Sequence, residues 1–318
     1  MCLVALAIDE NRRFPLVIAA NRDEFFDRPA ARLSWWTPDE GGPEILAGRD
    51  LSAGGTWMGL SAAGRLALVT NVRRPVEPDP EAPSRGGIVP AWLRTELRPD
   101  QFWMQTSLSG YMPFNLIAAD FRRGDCFWAS NEHAVPRRIE RGVFGLSNAA
   151  LDTPWPKVVA LKQRLAEALD AADSVDALSG RLFAALADRA PAPEHELPST
   201  GIDRERERML SPAFIRSPDA RYGTRCSTVI VTEKVKRQLV THVFERSFTP
   251  GPGVALLRKA VLRDWPPRYA DRPAVSADRA AVAESEVDPN AAPAEAAAIV
   301  PVKRTRVRSL LKPSHKQI

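Results

Sequence analysis

Cysteine and histidine are scarce in this chain of 318 residues, with three of the former and four of the latter. Cys2, Cys126 and Cys226 form no even set and no metal-ligand spacing, which argues against a disulfide framework or a cysteine-based zinc site and fits a reducing, cytoplasmic setting. His133, His195, His242 and His315 make no HExxH or CxxCH arrangement, so no metal centre and no covalent haem attachment is expected. No apolar run approaches the roughly 20 residues of a membrane span. The apolar start lacks a basic n-region and meets Asp9 and Glu10 at once, so a secretory signal is not expected either.

Basic charge is scarcer than the net +5 suggests. Six of the cations (Lys303, Arg304, Arg306, Arg308, Lys312, Lys316) lie in residues 302–318 with no acid among them, which leaves the rest of the chain one charge negative. A nucleic-acid-binding body is therefore not indicated, and the basic end is expected at most to touch anionic surfaces. Hydrophobic residues at 44% and charged residues at 26% are ordinary for a globular protein able to bury one large core or two smaller ones.

What the sequence does carry is concentrated in its first 24 residues. Leu3 to Ile8 and Leu16 to Ala20 are two aliphatic runs around the polar segment Asp9 to Pro15, the pattern of a β-hairpin. A turn centred near Arg12 folds the chain so that Cys2 faces Arg22 and Asp23. Removal of Met1 would give Cys2 both a thiol and a free α-amine, whose reference pKa is about 7.7–8.0, so that one residue supplies nucleophile and base. A neighbouring Arg lowers a thiol pKa, and an adjacent Asp can orient the amine. The ordinary alternative is that Cys2 is a small apolar residue beginning a buried strand. The charged run Asn21-Arg22-Asp23-Glu24 weighs against it, because polar residues at that place need partners.

Further along, Gly48 to Gly59 reads as a tight loop that presents Asp50 and feeds a strand at Thr56-Trp57; Gly54-Gly55 makes either a turn or a pocket wall. The Walker lysine is missing, so it is not a phosphate loop. Leu66 to Val72 is a strand that ends at Asn71, an amide able to cap a turn or to donate to a developing oxyanion. Asn148 ends a second strand near Gly145 to Ala149. Helices are expected over 87–97 and 100–108, the second capped by Asp100. Val158, Leu161, Leu165 and Leu169, then Leu178, Leu182 and Leu186, recur at helical spacing around a polar break at 170–174. Tyr222 to Val231 and Leu239 to Phe244 make a final hairpin, with Arg225 near its start. Hairpins flanking helices argue an α+β fold with stacked sheets and helices outside. From about residue 270 Ala, Pro and Glu dominate, which divides the chain into a domain over 1–271 and a disordered tail over 272–318.

Met1-Cys2, Asn21-Arg22-Asp23-Glu24, Gly54-Gly55-Thr56-Trp57, Thr70-Asn71, Leu146-Ser147-Asn148 and Tyr222-Gly223-Thr224-Arg225, in this order, resemble the NRDE family, also called the transport and Golgi organisation 2 family. The similarity runs from Met1 to about Arg268. It implies a four-layer αββα sandwich of the N-terminal-nucleophile (Ntn) hydrolase type, and more distantly the Ntn branch of penicillin V acylases and bile-salt hydrolases. By position it implies Cys2 as nucleophile, Arg22 and Asp23 beside it, Asn71 and Asn148 as oxyanion donors and Arg225 as a tuning residue. That branch separates the pair that here is the adjacent Arg22-Asp23. Asn21, Glu24, Asp50 and Trp57 are the expected ligand contacts. Two functions follow from the resemblance. One is an amidohydrolase cleaving a small non-peptide C–N bond through an acyl-enzyme with no cofactor; the other is a haem or acyl-CoA binding and trafficking protein using the same pocket.

Overall fold

The alternation of side chains along the first two strands sets the architecture. In β1 (Cys2–Ile8) and β2 (Leu16–Phe25), Val4, Leu6, Leu16, Ile18 and Ala20 enter one apolar cluster, whereas Leu3, Ala5, Ala7, Val17 and Ala19 enter another. Both faces are buried, which is why these strands read as continuous aliphatic runs instead of alternating ones. The hairpin expected from the sequence is present, with Cys2 paired to Arg22 and Ile8 to Leu16. Its turn is held by Asn11, whose Oδ1 accepts from the Arg13 and Phe14 amides at 2.9 and 3.1 Å and whose Nδ2 donates to Leu169 O at 3.1 Å.

The computed structural model describes residues 2–77, 79–133, 135–251, 255–267 and 282–287. After the first hairpin come β3 (Ala30–Trp36), β4 (Ile45–Asp50), β5 (Met58–Ser61), β6 (Arg65–Asn71), α1 (Ile88–Arg94), α2 (Pro99–Ser107), β7 (Phe114–Asp120), β8 (Asp125–Ser130), β9 (Arg137–Arg138) and β10 (Gly142–Leu146). Then follow α3 (Pro156–Ala171), α4 (Val175–Leu186), α5 (Arg204–Met209), β11 (Tyr222–Val235), β12 (Gln238–Ser247), β13 (Ala255–Arg263) and β14 (Ala283–Val287). Two seven-stranded sheets result, in the orders β10-β1-β2-β11-β12-β13-β14 and β3-β4-β5-β6-β7-β8-β9. Their facing sides share one core, which includes Leu6, Ile18, Leu46, Leu68, Ile117, Ile230 and Trp265. Helices α3 and α4 cover the outer face of the first sheet, and α1 and α2 that of the second. The chain is thus a four-layer αββα sandwich, the architecture expected.

Several boundaries differ from the sequence reading. Gly48 to Asp50 end strand β4 and the turn falls on 51–54. Gly48 has no side chain because Trp57 lies against its backbone; a Cβ there would meet Trp57 Cη2 at 2.2 Å. Helix α2 is entered from Arg98, whose backbone N donates to Gln101 Oε1 at 3.3 Å, so Asp100 sits in the first turn and is not the cap. Strand β14 lies past the boundary drawn at 271/272. It is held by pairing with β13 and by Glu284, which takes Arg32 Nη1 and Arg258 Nε at 3.0 and 2.8 Å, and composition alone does not register such contacts. The remainder of 272–318 lies outside the described residues. No helix among the described residues is long and apolar enough to cross a membrane.

Candidate functional site

Strand register brings Cys2 and Arg22 side by side at the open end of the space between the sheets. Across the first sheet Cys2 pairs with Arg22 and Arg22 with Cys226, so the three side chains share the inter-sheet face. Arg22 is buried, its guanidinium stacks on Trp57 with 4.6 Å to the ring centroid, and its Nη2 lies 3.6 Å from both Glu24 and Asp50. Asp50 is in turn fixed by Arg28 Nε at 2.6 Å and by the Ser52 and Ala53 amides. Burial pushes the Asp50 carboxyl up, but the Arg28 bond and those amides outweigh it and leave its pKa lowered. Arg22, Glu24, Asp50 and Trp57 therefore form one group beside Cys2.

The neighbouring residues of the Asn-Arg-Asp-Glu run face the other way, into the helix layer. Asn21 donates to Leu186 O and Ala213 O at 2.9 and 2.8 Å and accepts from Ser227 Oγ at 2.6 Å. A buried amide so engaged is a pin between sheet and helices, and its assignment as a ligand contact is corrected. Asp23 accepts from Thr224 Oγ1 at 2.8 Å. Burial raises its pKa against the pull of the amino terminus, of Lys157, of the Thr224 bond and of Arg22.

The two asparagines expected as oxyanion donors occupy different situations. Ser147 Oγ donates to Cys2 O at 2.9 Å, and Thr70 Oγ1 donates to Ser147 O at 2.7 Å. Asn148 Nδ2 donates to Asn71 O at 2.9 Å, and Asn148 O accepts from the Arg73 amide at 2.7 Å. Asn148 is fully buried and locks the end of β6 to the segment that follows β10, while Ser147 beside it holds Cys2. The side-chain amide of Asn71 has no hydrogen-bond partner among the described residues and is half-buried, so of the two amides it is the one left uncommitted. Arg225 is displaced at a bulge between Thr224 and Cys226, and its Nη1 donates to Phe25 O and Arg28 O at 2.5 and 2.9 Å. It shapes the loop after β2.

Three cations near Cys2 went unread in the sequence. Lys157, in the first turn of α3, is buried and donates to Leu210 O at 2.8 Å; burial lowers its pKa to about 8, with Asp23 and Cys2 among the groups that oppose the shift. Arg73 pairs with Glu207 Oε2 at 2.6 Å and stacks on Trp155 at 4.6 Å, while Thr200 also donates to Glu207. Arg85 donates to Pro113 O at 3.0 Å, and burial lowers its pKa against the attraction of Glu24 and Cys2. Arg85 is placed by Gly55, where a Cβ would lie 2.3 Å from Gly86 O. The only sequence signal for Arg73 is its parity with Asn71, two residues on at the same strand end.

Electrostatics at the thiol differ from the simple expectation. Burial is the largest influence on Cys2 and raises its pKa; Asp23 and Glu24 add to it, while the amino terminus and Arg22 pull down without prevailing. The thiol is therefore neutral at rest and needs a base at the moment of attack. Beyond Arg22 lies a cavity of about 170 Å³ lined by Arg22, Trp57, Arg225, Cys226, Glu245 and Ser247, among others. No cluster of three His, Cys, Asp or Glu side chains suited to a metal occurs among the described residues.

A family model described as Transport and Golgi organisation 2 matches residues 1–250. The Transport and Golgi organization protein 2 homolog of Bos taurus is 34% identical over 255 residues, 73% of this chain and 89% of its own. That of Homo sapiens is 33% identical over 253 residues, with the same shares covered. Among solved structures, the Caenorhabditis elegans N-acylethanolamine-hydrolyzing acid amidase ortholog aligns with a TM-score of 0.40 at 11% identity, over 72% of this chain and 92% of that one. A likeness of that size supports no argument about chemistry.

Proposed function

The chain belongs to the Transport and Golgi organisation 2 family, and from that premise we propose that it is a cysteine amidohydrolase of the N-terminal-nucleophile type acting on a small non-peptide C–N bond. The observation that carries the reading is the register that sets Cys2 directly opposite Arg22 at the mouth of the inter-sheet space. Removal of Met1 frees the Cys2 α-amine. That amine takes the thiol proton as sulfur attacks the amide carbonyl, which suits a thiol held neutral by burial. The tetrahedral oxyanion accepts a hydrogen bond from the Asn71 amide. The C–N bond then breaks, the leaving amine takes the proton from the α-ammonium, and a thioester remains on Cys2. Water, deprotonated by the same amine, attacks that thioester and releases the carboxylic acid and the thiol. Asp23 and Lys157 orient and balance the charge of the α-amine, and Arg22 offsets negative charge at sulfur.

The test is product release from a panel of small N-acyl amides by the wild type, Cys2→Ala and Cys2→Ser. Release by the wild type that disappears in Cys2→Ala supports the reading; no release from any amide, or equal release by Cys2→Ala, overturns it. A second reading is a non-catalytic carrier of haem or of an acyl-CoA or lipid thioester in the same pocket. Retained acyl-CoA binding by Cys2→Ala, with no hydrolysis by the wild type, would favour the carrier.

A further inference from the structure

The inter-sheet face of the first sheet carries a row of aligned positions at its open end: Cys2, Arg22, Cys226, Ser247 and Leu256, one from each of five consecutive strands. The cavity lies along this row, beginning at Arg22 and running away from Cys2 over Cys226, Ser247 and Leu256. At about 170 Å³ it has room for roughly five or six water-sized groups, taking about 30 Å³ for each. That is the scale of a short polar chain.

Its charge is one-sided. Three guanidinium groups, those of Arg22, Arg32 and Arg225, line it against a single carboxyl, that of Glu245. Arg32 is committed to Glu284 at 3.0 Å, and Arg225 gives its Nη1 to two backbone carbonyls. Arg22 is different. Its side chain is 93% buried, the partners of its Nη2 stand off at 3.6 Å, and its Nη1 is buried with no hydrogen-bond partner among the described residues. Arg225 Nε is in the same condition. A buried charged donor without an acceptor is costly to hold, and a guanidinium presents its donors as a planar fork that matches a carboxylate.

We propose that this cavity is a subsite for the carboxylate of a small ligand, bound by the Arg22 guanidinium, so that the substrate of Cys2 carries a carboxylate a few bonds from its scissile amide. The second half of this statement rests on the reading of Cys2 as nucleophile; the first half does not. Glu245 adds a signature. Its Oε1 accepts from the Leu33 amide of β3 at 2.7 Å, and it is faced by Arg22 from β2, Cys226 from β11, Arg258 from β13 and Ser247 on its own strand. Burial pushes the Glu245 carboxyl up to about 7 against the pull of the Leu33 amide and the two arginines. Below that pH the carboxyl is neutral and tolerates an incoming anion; above it, the carboxylate repels one.

The experiment uses the full chain carrying Cys2→Ala, which removes the chemistry and keeps the cavity, and two isosteric probes, succinamate and the neutral succinamide. Titration calorimetry is expected to show succinamate binding at least about tenfold more tightly than succinamide, as one charge-assisted hydrogen bond provides. The preference is expected to fall as the pH is raised from about 6 to about 8. Adding Glu245→Gln should keep the preference constant over that range, which remains a test even if Arg22→Gln, expected to abolish the preference, fails to fold. Equal binding of the two probes, no binding of either, or tighter binding of inorganic phosphate than of succinamate would overturn the carboxylate subsite. Failure of the nucleophile reading would appear separately, as inert amides with succinamate binding intact.

Discussion

Asn71 and Asn148 look alike in the sequence, two amides at strand ends, and the fold separates their tasks. Asn148 is spent on the Asn71 carbonyl, whereas the Asn71 amide is uncommitted among the described residues. Asn71→Ala is therefore expected to lower kcat by about 10²–10³-fold, the range for loss of one oxyanion donor, with an unchanged melting temperature. Asn148→Ala is expected to lower the melting temperature by removing buried bonds at the end of β6. Steady-state kinetics with thermal unfolding on both variants checks this, and the reverse pattern would exchange the two roles. Lys157 offers a pH test. Its folded pKa, lowered to about 8 from 10.5, means that the unfolded chain binds more protons between those values. Stability contributed by this site should accordingly rise with pH across that window, and Lys157→Met should remove the rise. Denaturant midpoints measured from about pH 7.5 to about pH 10.5 for both proteins read it directly.

At the scale of elements, two-sided burial governs what could be read. The hairpin of β1 and β2 was legible because two aliphatic runs flank a polar turn, and the turn position fixes the pairing of Cys2 with Arg22. The helices α3 and α4 were legible through leucine spacing and the break before Ser174, which caps α4 by accepting from the Ala177 amide at 3.2 Å. Ser174→Ala should cost about 1 kcal/mol, as N-cap losses generally do. Strands β4, β13 and β14 escaped because glycine, basic side chains and acidic side chains interrupt their apolar pattern, and only pairing makes them strands. The cations Lys157, Arg73 and Arg85 escaped because each reaches the site from a helix or loop far from Cys2 in sequence. A buried pair in the second sheet was equally invisible. Arg65 bonds Asp120 Oδ2 through Nε at 3.1 Å, donates to Trp92 O and Leu97 O, and stacks on Trp92 at 4.4 Å. Breaking it with Asp120→Ala leaves a buried cation and should cost about 3–5 kcal/mol, measurable by urea unfolding.

For the whole molecule, the sandwich explains why chemistry gathers at one end. Side chains of the two sheets fill the space between them largely with Leu, Ile and Val, and its charged residues gather where β1, β2, β11 and β12 reach its mouth. The motifs Asn-Arg-Asp-Glu, Gly-Gly-Thr-Trp and Ser-Asn lie far apart in sequence and meet there because the strands that carry them meet there. The sequence could place them in one family and one fold; it could not tell that Asn21 faces the helices or that burial would hold the thiol neutral, since both depend on which sheet face a residue occupies. The central claim is that Cys2 becomes an N-terminal nucleophile. The measurement that tests it most directly is the intact mass of the purified protein, with peptide mapping, before and after brief treatment with iodoacetamide. The account predicts a chain without Met1 and one adduct, on Cys2, whose thiol the freed α-amine deprotonates, while Cys126 and Cys226, equally buried but without an α-amine, stay unmodified. Retained Met1, or labelling that spares Cys2, would contradict it.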